Sequence, residues 1–279
     1  MRSPETFLVI GGNRRMDSLA RYLRREYPAT RITEDSPLSS LPDYIPGSHL
    51  IFPMPFSRDG IHISGMEKST LTIAQLPGLL EPKPASVFGG PLPDCIRQHC
   101  SELAVPAFDW TEMEDVALPN AVLTAEGAVA EAIQHTCRSL GNCRCLILGW
   151  GRCAQALARR LRYLVKDITV AARNPYQRLS AQSEGFSAAA LSECDALLPD
   201  FDIIFNTIPA MILLGNKAAF LSPESVFLDL ASGPLSAHIE TASYRGNAVS
   251  CPGLPGKYFA RDAGEILARA VLARIPTTL

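Results

Sequence analysis

Short apolar runs that end in small residues, each followed by an amphipathic stretch, recur along the chain. Phe7-Leu8-Val9-Ile10 is the first: it ends in Gly11-Gly12 and leads into a helical stretch over residues 14–26. A polar, Pro-rich segment follows, then His49-Leu50-Ile51-Phe52, a loop rich in Pro and Ser, and Ser86-Val87-Phe88 ending in Gly89-Gly90. A helix over residues 93–103 leads to Val105-Pro106-Ala107-Phe108. A longer helical pattern covers residues 124–140, with Thr124 placed as its N-cap. The rhythm then restarts, with strands expected at 143–148, 168–172, 202–206, 226–230 and 248–251 and a closing helix over 262–274. Strand and helix in alternation predict mostly parallel sheets covered by helices.

Composition narrows this picture. At 279 residues the chain has room for one large domain or two ordinary ones. A hydrophobic share of 47% with 19% charged residues supports a sizeable core and excludes a disordered chain. The net charge is −2 and no basic run occurs, which argues against nucleic acid as a partner. No stretch approaches the roughly 20 uninterrupted apolar residues of a membrane span. Pro4 and Glu5 interrupt the start of the chain, so no signal peptide is expected and a cytoplasmic location follows. There the eight cysteines (Cys95, Cys100, Cys137, Cys143, Cys145, Cys153, Cys194, Cys251) are expected as thiols. Cys143 and Cys145 alternate along a strand and share one face, as small core residues do, with a zinc site as the minor alternative.

The strongest motif is Gly149-Trp150-Gly151-Arg152-Cys153-Ala154, a G-x-G-x-x-A directly after the apolar run Cys145-Leu146-Ile147-Leu148 and directly before a helical stretch. Gly149 allows the tight turn, Gly151 lets a pyrophosphate approach the backbone, and Ala154 lets helix and strand pack closely. The anion then meets a helix N-terminus. Trp150 is expected to line the loop and Arg152 to touch the pyrophosphate. An acidic residue for the ribose 2′-hydroxyl is expected some 20 residues on. That place is held by Arg173-Asn174, after Ile168-Thr169-Val170-Ala171-Ala172. A guanidinium there would bind a 2′-phosphate, so NADP(H) is favoured over NAD(H).

Three further loops fall at carboxyl ends of strands, where open α/β sheets bind ligands. They are Asn206-Thr207-Ile208-Pro209, Asp229-Leu230-Ala231-Ser232-Gly233-Pro234 and Cys251-Pro252-Gly253-Leu254-Pro255-Gly256. Asn206, Thr207 and Pro209 are candidates for the nicotinamide ribose, and Gly253, Leu254 and Pro255 for the turn that sets the ring against a substrate. The expectation is therefore α/β: two Rossmann-like open parallel-sheet domains with an interdomain cleft. Residues 1–120 form a domain for substrate or partner and residues 121–279 the NADP-binding domain. Helix 124–140 connects them, and helix 262–274 is free to pack back on the first.

In combination these residues resemble a family of endospore-forming bacteria, that of the dipicolinate synthase A-type subunits. The resembling stretches are Val9-Ile10-Gly11-Gly12, Thr124-Ala125-Glu126-Gly127 leading to Ala132-Ile133-Gln134-His135-Thr136, Leu148-Gly149-Trp150-Gly151-Arg152 and Ala172-Arg173. They continue with Asn206-Thr207-Ile208-Pro209-Ala210-Met211-Ile212-Leu213, Leu228-Asp229-Leu230-Ala231-Ser232, Pro252-Gly253-Leu254-Pro255-Gly256 and Ala263-Gly264-Glu265-Ile266-Leu267. The loop Pro53-Met54-Pro55-Phe56-Ser57-Arg58 and the segment Lys257-Tyr258-Phe259-Ala260-Arg261-Asp262 depart from the family pattern. The resemblance implies an NADP-dependent oxidoreductase of the mother-cell cytoplasm that oxidises a dihydrodipicolinate-type intermediate to dipicolinate in sporulation. It also implies a hetero-oligomer with a flavoprotein-like B-type subunit, and a homo-oligomer is compatible with it. Two substrate carboxylates call for cations or hydroxyls, and Arg14, Ser57, Arg58 and Thr124 are the candidates. Glu126, taken as lying at a helix start, is the candidate proton acceptor, and no resident metal is expected. Two alternatives stay open: another NADP-dependent dehydrogenase of a small carboxylic acid, and a non-catalytic NADP(H)-binding subunit.

Overall fold

The computed structural model describes residues 5–37, 45–210, 221–231 and 247–275. Along the chain, β1 (Phe7–Ile10), α1 (Arg14–Leu23), β2 (Ala29–Ile32), β3 (His49–Ile51), α2 (Leu76–Leu79), β4 (Ser86–Gly89), α3 (Asp94–Glu102) and β5 (Ala107–Asp109) come first. A long helix, α4 (Glu114–His135), is followed by β6 (Arg144–Leu148), α5 (Arg152–Leu161), β7 (Asp167–Ala172), α6 (Pro175–Ser183), β8 (Ser187–Ala190) and α7 (Cys194–Leu197). Then come β9 (Ile203–Asn206), β10 (Val226–Asp229), β11 (Asn247–Ser250), α8 (Leu254–Tyr258) and α9 (Ala260–Leu272). Contacts divide the chain into unit 1, Met1–Asn120 with Phe259–Leu279, and unit 2, Ala121–Tyr258.

Unit 1 holds a five-stranded sheet in the order β2-β1-β3-β4-β5, with every pairing parallel. Its strands are apolar on both faces because both faces are covered. Leu8 and Ile10 of β1 pack into one cluster with Leu50 and Val87, whereas Phe7 and Val9 pack into another with Met16, Leu19 and Val271. Helix α9 completes that second layer against α1. The two backbones approach so closely that a Cβ on Gly264 would stand 2.6 Å from the Arg15 carbonyl oxygen.

Unit 2 holds a six-stranded parallel sheet in the order β11-β10-β9-β6-β7-β8. Counted from β6, this is the doubly wound order in which the chain reverses beside the first strand. Cys145 and Ile147 face one layer with α4 and α5, and Leu146 and Leu148 face the other.

Three expectations are corrected. The connecting helix begins at Glu114 and ends at His135, not over 124–140. Pro119 reads as a helix breaker in sequence, yet it stands inside the helix. Thr124 is therefore a mid-helix residue and not an N-cap. Helix α4 is, among the described residues, the one long and apolar enough to cross a membrane, and half of that apolar window is buried inside the protein. Ala121, Ala125, Ala128 and Ala132 form the buried stripe, at the spacing of one helix face. Two strands, β2 and β8, were not expected. Ala-Thr-Arg-Ile and Ser-Ala-Ala-Ala carry too few large apolar residues to signal a strand, and each lies at a sheet edge.

Candidate functional site

In unit 2 the turn after β6 is built as the glycine pattern demands. Gly149 has φ +98°, and a Cβ there would sit 2.7 Å from Thr207 Oγ1 and 2.9 Å from Ile208 Cγ1. Gly151 is the N-cap of α5, provides no side-chain cap, and has open space where a Cβ would be. Helix α5 thus presents its first turn to whatever lies beyond β6, an arrangement that favours an anion. Arg152 is exposed on that first turn, and Ala154 is buried against the strand. The Cys153 thiol is pushed up by burial, with Arg152 and the Thr124 hydroxyl acting the other way.

Trp150 does not line the loop. Its side chain is buried, its Nε1 donates to Ser180 Oγ at 3.1 Å, and its ring meets Phe186 edge-on at 5.6 Å. Arg173, at the end of β7, is exposed and its guanidinium makes no hydrogen bond or ion pair among the described residues. Asn174 caps α6 by accepting from the Tyr176 N–H at 2.9 Å. Arg178 Nη1 donates to the Ala172 and Arg173 carbonyls, which adds a second guanidinium beside this strand end.

The loop after β9 is held by its own residues. Asn206 is fully buried; its amide donates to Asp229 Oδ1 at 2.9 Å and Ile208 O at 3.2 Å, and its carbonyl accepts from the Ile208 N–H. Thr207 Oγ1 donates to the Leu148 carbonyl at 2.8 Å. Asn206 and Thr207 therefore shape the wall of the glycine turn with their polar atoms already engaged, and Pro209 is exposed beside them. Met211-Ile212-Leu213 and Ser232-Gly233-Pro234 lie outside the described residues. The expected Gly-Leu-Pro-Gly loop is instead the start of a helix: Gly253 (φ +67°) precedes α8, and Leu254 and Pro255 are buried. Leu254 packs on α4 where Gly127 leaves room, a Cβ on Gly127 falling 2.9 Å from Leu254 Cβ. Leu254 belongs to the buried core of unit 2.

Glu126 is exposed in mid-helix, and Arg160 Nη2 donates to its carboxylate at 3.1 Å. Its expected place at a helix start is not met. The buried carboxylate of α4 is Glu131, at 2% exposure, which accepts from Lys257 Nζ and from Tyr258 OH (2.9 Å) on α8, with His135 Nε2 at 3.5 Å. Burial alone would raise its pKa, but these hydrogen bonds and the charges of Lys257 and His135 hold it below the ordinary carboxylate value.

In unit 1 the expected substrate residues separate. Arg14 is exposed at the first turn of α1. Ser57 Oγ serves its own turn, donating to Asp59 Oδ1 and accepting from the Gly60 N–H. Arg58 lines a cavity with Arg15 and Ser64, two residues that the sequence did not single out. Arg15 lies on the buried arc of α1 with Met16, Leu19, Ala20 and Leu23, so helical periodicity carried its signal. No cluster of metal-ligating side chains occurs among the described residues, and Cys143 and Cys145 are buried free thiols.

These features define a two-domain Rossmann-like dehydrogenase fold. No family model matches the chain. Over 161 residues it is 34% identical to the A-type subunit of dipicolinate synthase from Bacillus subtilis (strain 168), a stretch covering 57% of this chain and 54% of that protein. It is 24% identical over 165 residues to the NADP(+) shikimate dehydrogenase of Staphylococcus aureus, covering 53% of this chain and 62% of that protein. The chain thus spans between half and two thirds of the length of these curated relatives. The crystal structure of the corresponding dipicolinate synthase subunit from Bacillus halodurans aligns over 98% of both chains with a TM-score of 0.81 and 24% identity. The resemblance to the A-type subunit of dipicolinate synthase stands in both sequence and fold.

Proposed function

We propose that this chain is an NADP-dependent oxidoreductase that converts a dihydrodipicolinate-type dicarboxylate to dipicolinate, pyridine-2,6-dicarboxylate. The observation that carries the cofactor reading is Arg173: a guanidinium with no hydrogen bond or ion pair among the described residues, at the end of β7, where a carboxylate would mark NAD. The open space at Gly151 and the uncapped first turn of α5 suit a pyrophosphate. The 2′-phosphate would fall to Arg173, with Arg178 holding the strand-end carbonyls in place. Bound there, the nicotinamide would accept a hydride from the dihydropyridine ring, and the second hydrogen would leave as a proton to solvent. Aromatisation of that ring makes the step downhill, so the chain need supply orientation and charge more than a strong base. Glu126, engaged by Arg160, is given no part in it.

The substrate class rests on the similarity to the A-type subunit of dipicolinate synthase. From it we also infer work in the mother-cell cytoplasm during sporulation, alongside a flavoprotein-like B-type subunit. The test is to add NADP+ and a dihydrodipicolinate-type substrate to the purified chain, with and without that partner. Absorbance of a pyridine product growing in step with NADPH is expected. Cofactor binding without turnover, even with the partner present, would make this a non-catalytic subunit. Turnover of shikimate-like or 2-hydroxy acids in its place would redirect the substrate assignment.

A further inference from the structure

Unit 1 carries a cavity that the cofactor reading does not use. Its sheet order, β2-β1-β3-β4-β5, reverses direction between β1 and β3. In open α/β sheets the crevice at the carboxyl ends of the strands beside such a reversal is where ligands bind. The cavity is there: Gly12 and Asn13 follow β1, and Pro53 and Met54 follow β3. Its volume is about 130 Å³. That space is on the scale of a small anionic group.

The two guanidiniums at this cavity make no ion pair among the described residues. Arg15 is 5% exposed, and among the described residues its guanidinium donates only to neutral oxygens, Met54 O at 2.7 Å and Asn120 Oδ1 at 3.5 Å. Burial, and the charge of Arg58 after it, lower its pKa to about 10. Arg58, on the exposed side of the cavity, makes no ion pair among the described residues. A buried guanidinium with a second one beside it, and no ion pair to either among the described residues, is stabilised by the arrival of an anion. Ser64, also 5% exposed, lines the same cavity, and its buried hydroxyl has no hydrogen-bond partner. The acid that lines the wall among the described residues, Glu67, accepts the Gly65 N–H at 2.9 Å and forms no ion pair with either arginine. The walls are fixed in advance: Gly12 N–H donates to the Ser64 carbonyl, and a Cβ on Gly65 would stand 2.5 Å from the Gly12 carbonyl oxygen.

We propose that this cavity is a carboxylate subsite for one arm of a small dicarboxylate, with Arg15 and Arg58 supplying the charge and Ser64 Oγ a hydrogen bond. The assignment to substrate rests on the proposed function. It replaces Arg14 and Ser57, whose side chains are respectively outside the cavity and spent on their own turn.

The test is calorimetric titration of the full chain with pyridine-2,6-dicarboxylate, unsubstituted pyridine and inorganic phosphate, each with and without NADPH. Arg58→Ala and Ser64→Ala are the variants, since neither side chain holds another element in place. The wild type should bind the dicarboxylate and not pyridine, and phosphate more weakly. Arg58→Ala should weaken the dicarboxylate at least about tenfold, the loss of one charge-assisted hydrogen bond, and Ser64→Ala about threefold or more. NADPH affinity should be unchanged in both. The proposal is overturned if the wild type fails to bind the dicarboxylate in either state, or if both variants bind it as the wild type does. It is overturned equally if phosphate binds as tightly and is weakened alike, which would make this a general anion site. Loss of dicarboxylate binding in the variants of a chain that binds no NADP(H) would leave the subsite standing and remove the cofactor reading instead.

Discussion

Replacing Arg173 with alanine isolates the cofactor preference from the fold. The guanidinium makes no hydrogen bond or ion pair among the described residues, so its removal breaks none. Surface substitutions of that kind change stability by less than about 0.5 kcal/mol. What is lost is a charge-assisted contact with a 2′-phosphate, worth about 1.5–3 kcal/mol. At about 1.4 kcal/mol per tenfold, that is a loss of roughly 10- to 150-fold in NADPH affinity. Arg173 is exposed, so solvent and salt screen the interaction and favour the lower end of that range. NADH has no 2′-phosphate and should bind Arg173→Ala as it binds the wild type. Fluorescence titration with NADPH and NADH, at low and at high salt, gives the ratio directly. The NADPH preference should shrink in the wild type as salt rises and should be largely absent from the variant. If Arg173→Ala keeps the wild-type ratio of NADPH to NADH affinity, Arg173 does not read the 2′-phosphate and the choice of NADP loses its support.

The two glycines of the turn should respond differently. Gly149→Ala, at φ +98° and 2.7 Å from Thr207 Oγ1, should lower the melting temperature by the equivalent of about 1–3 kcal/mol. Gly151→Ala, with open space at its Cβ, should leave melting unchanged and weaken only cofactor binding; equal melting losses in both would contradict the turn geometry. Acid should destabilise the protein through carboxylates held below their ordinary values: Glu131 by Lys257 and Tyr258 against its burial, Asp115 by Arg274, and Glu184 by Arg159. Depressed acids contribute stability above their ordinary values of 4.5 for Glu and 3.8 for Asp, and lose it as pH falls through the folded-state values. Melting temperatures measured from pH 7 down to about 3 should therefore stay level and then fall. A Glu131→Gln variant should show a shallower fall, and an identical acid limb would refute the role given to that cluster.

The sheets were legible because parallel strands buried on both faces are written as continuous apolar runs. Phe7-Leu8-Val9-Ile10 and Cys145-Leu146-Ile147-Leu148 each became a fully buried stretch with alternate residues in different layers. The misreadings have local causes. Thr124 has the side chain of an N-cap, yet helix α4 runs through it from Glu114 and across Pro119, and a sequence cannot show what holds a helix together across a proline. In the structure Val116 lies in the buried cluster of unit 1, and Trp110 just before the helix donates its Nε1 hydrogen to the Phe52 carbonyl. The edge strands β2 and β8 need fewer apolar residues, and so leave less trace.

At the candidate sites, what was legible was what the backbone dictates. Gly149, Gly151 and the place of Arg173 follow from spacing along the chain, since a tight turn, a helix start and a strand end are local objects. The side chains that complete a site depend on helix phase and on partners distant in sequence. Arg14 and Arg15 are neighbours, yet one step of about 100° along α1 puts the first in solvent and the second against Met54 and Asn120. Glu126 and Glu131 sit on the same helix, but only Glu131 faces α8, where Lys257 and Tyr258 meet it. Ser64 had no signal at all, because an unpartnered hydroxyl is a property of what surrounds it. Charge buried without a counter-charge is the trait that sets Arg15 apart. Arg31, Arg97, Arg138, Arg159, Arg160 and Arg274 each have a carboxylate within salt-bridge distance. Among the described residues Arg15 has two neutral oxygens and a cavity, and the proposed carboxylate subsite rests on that difference.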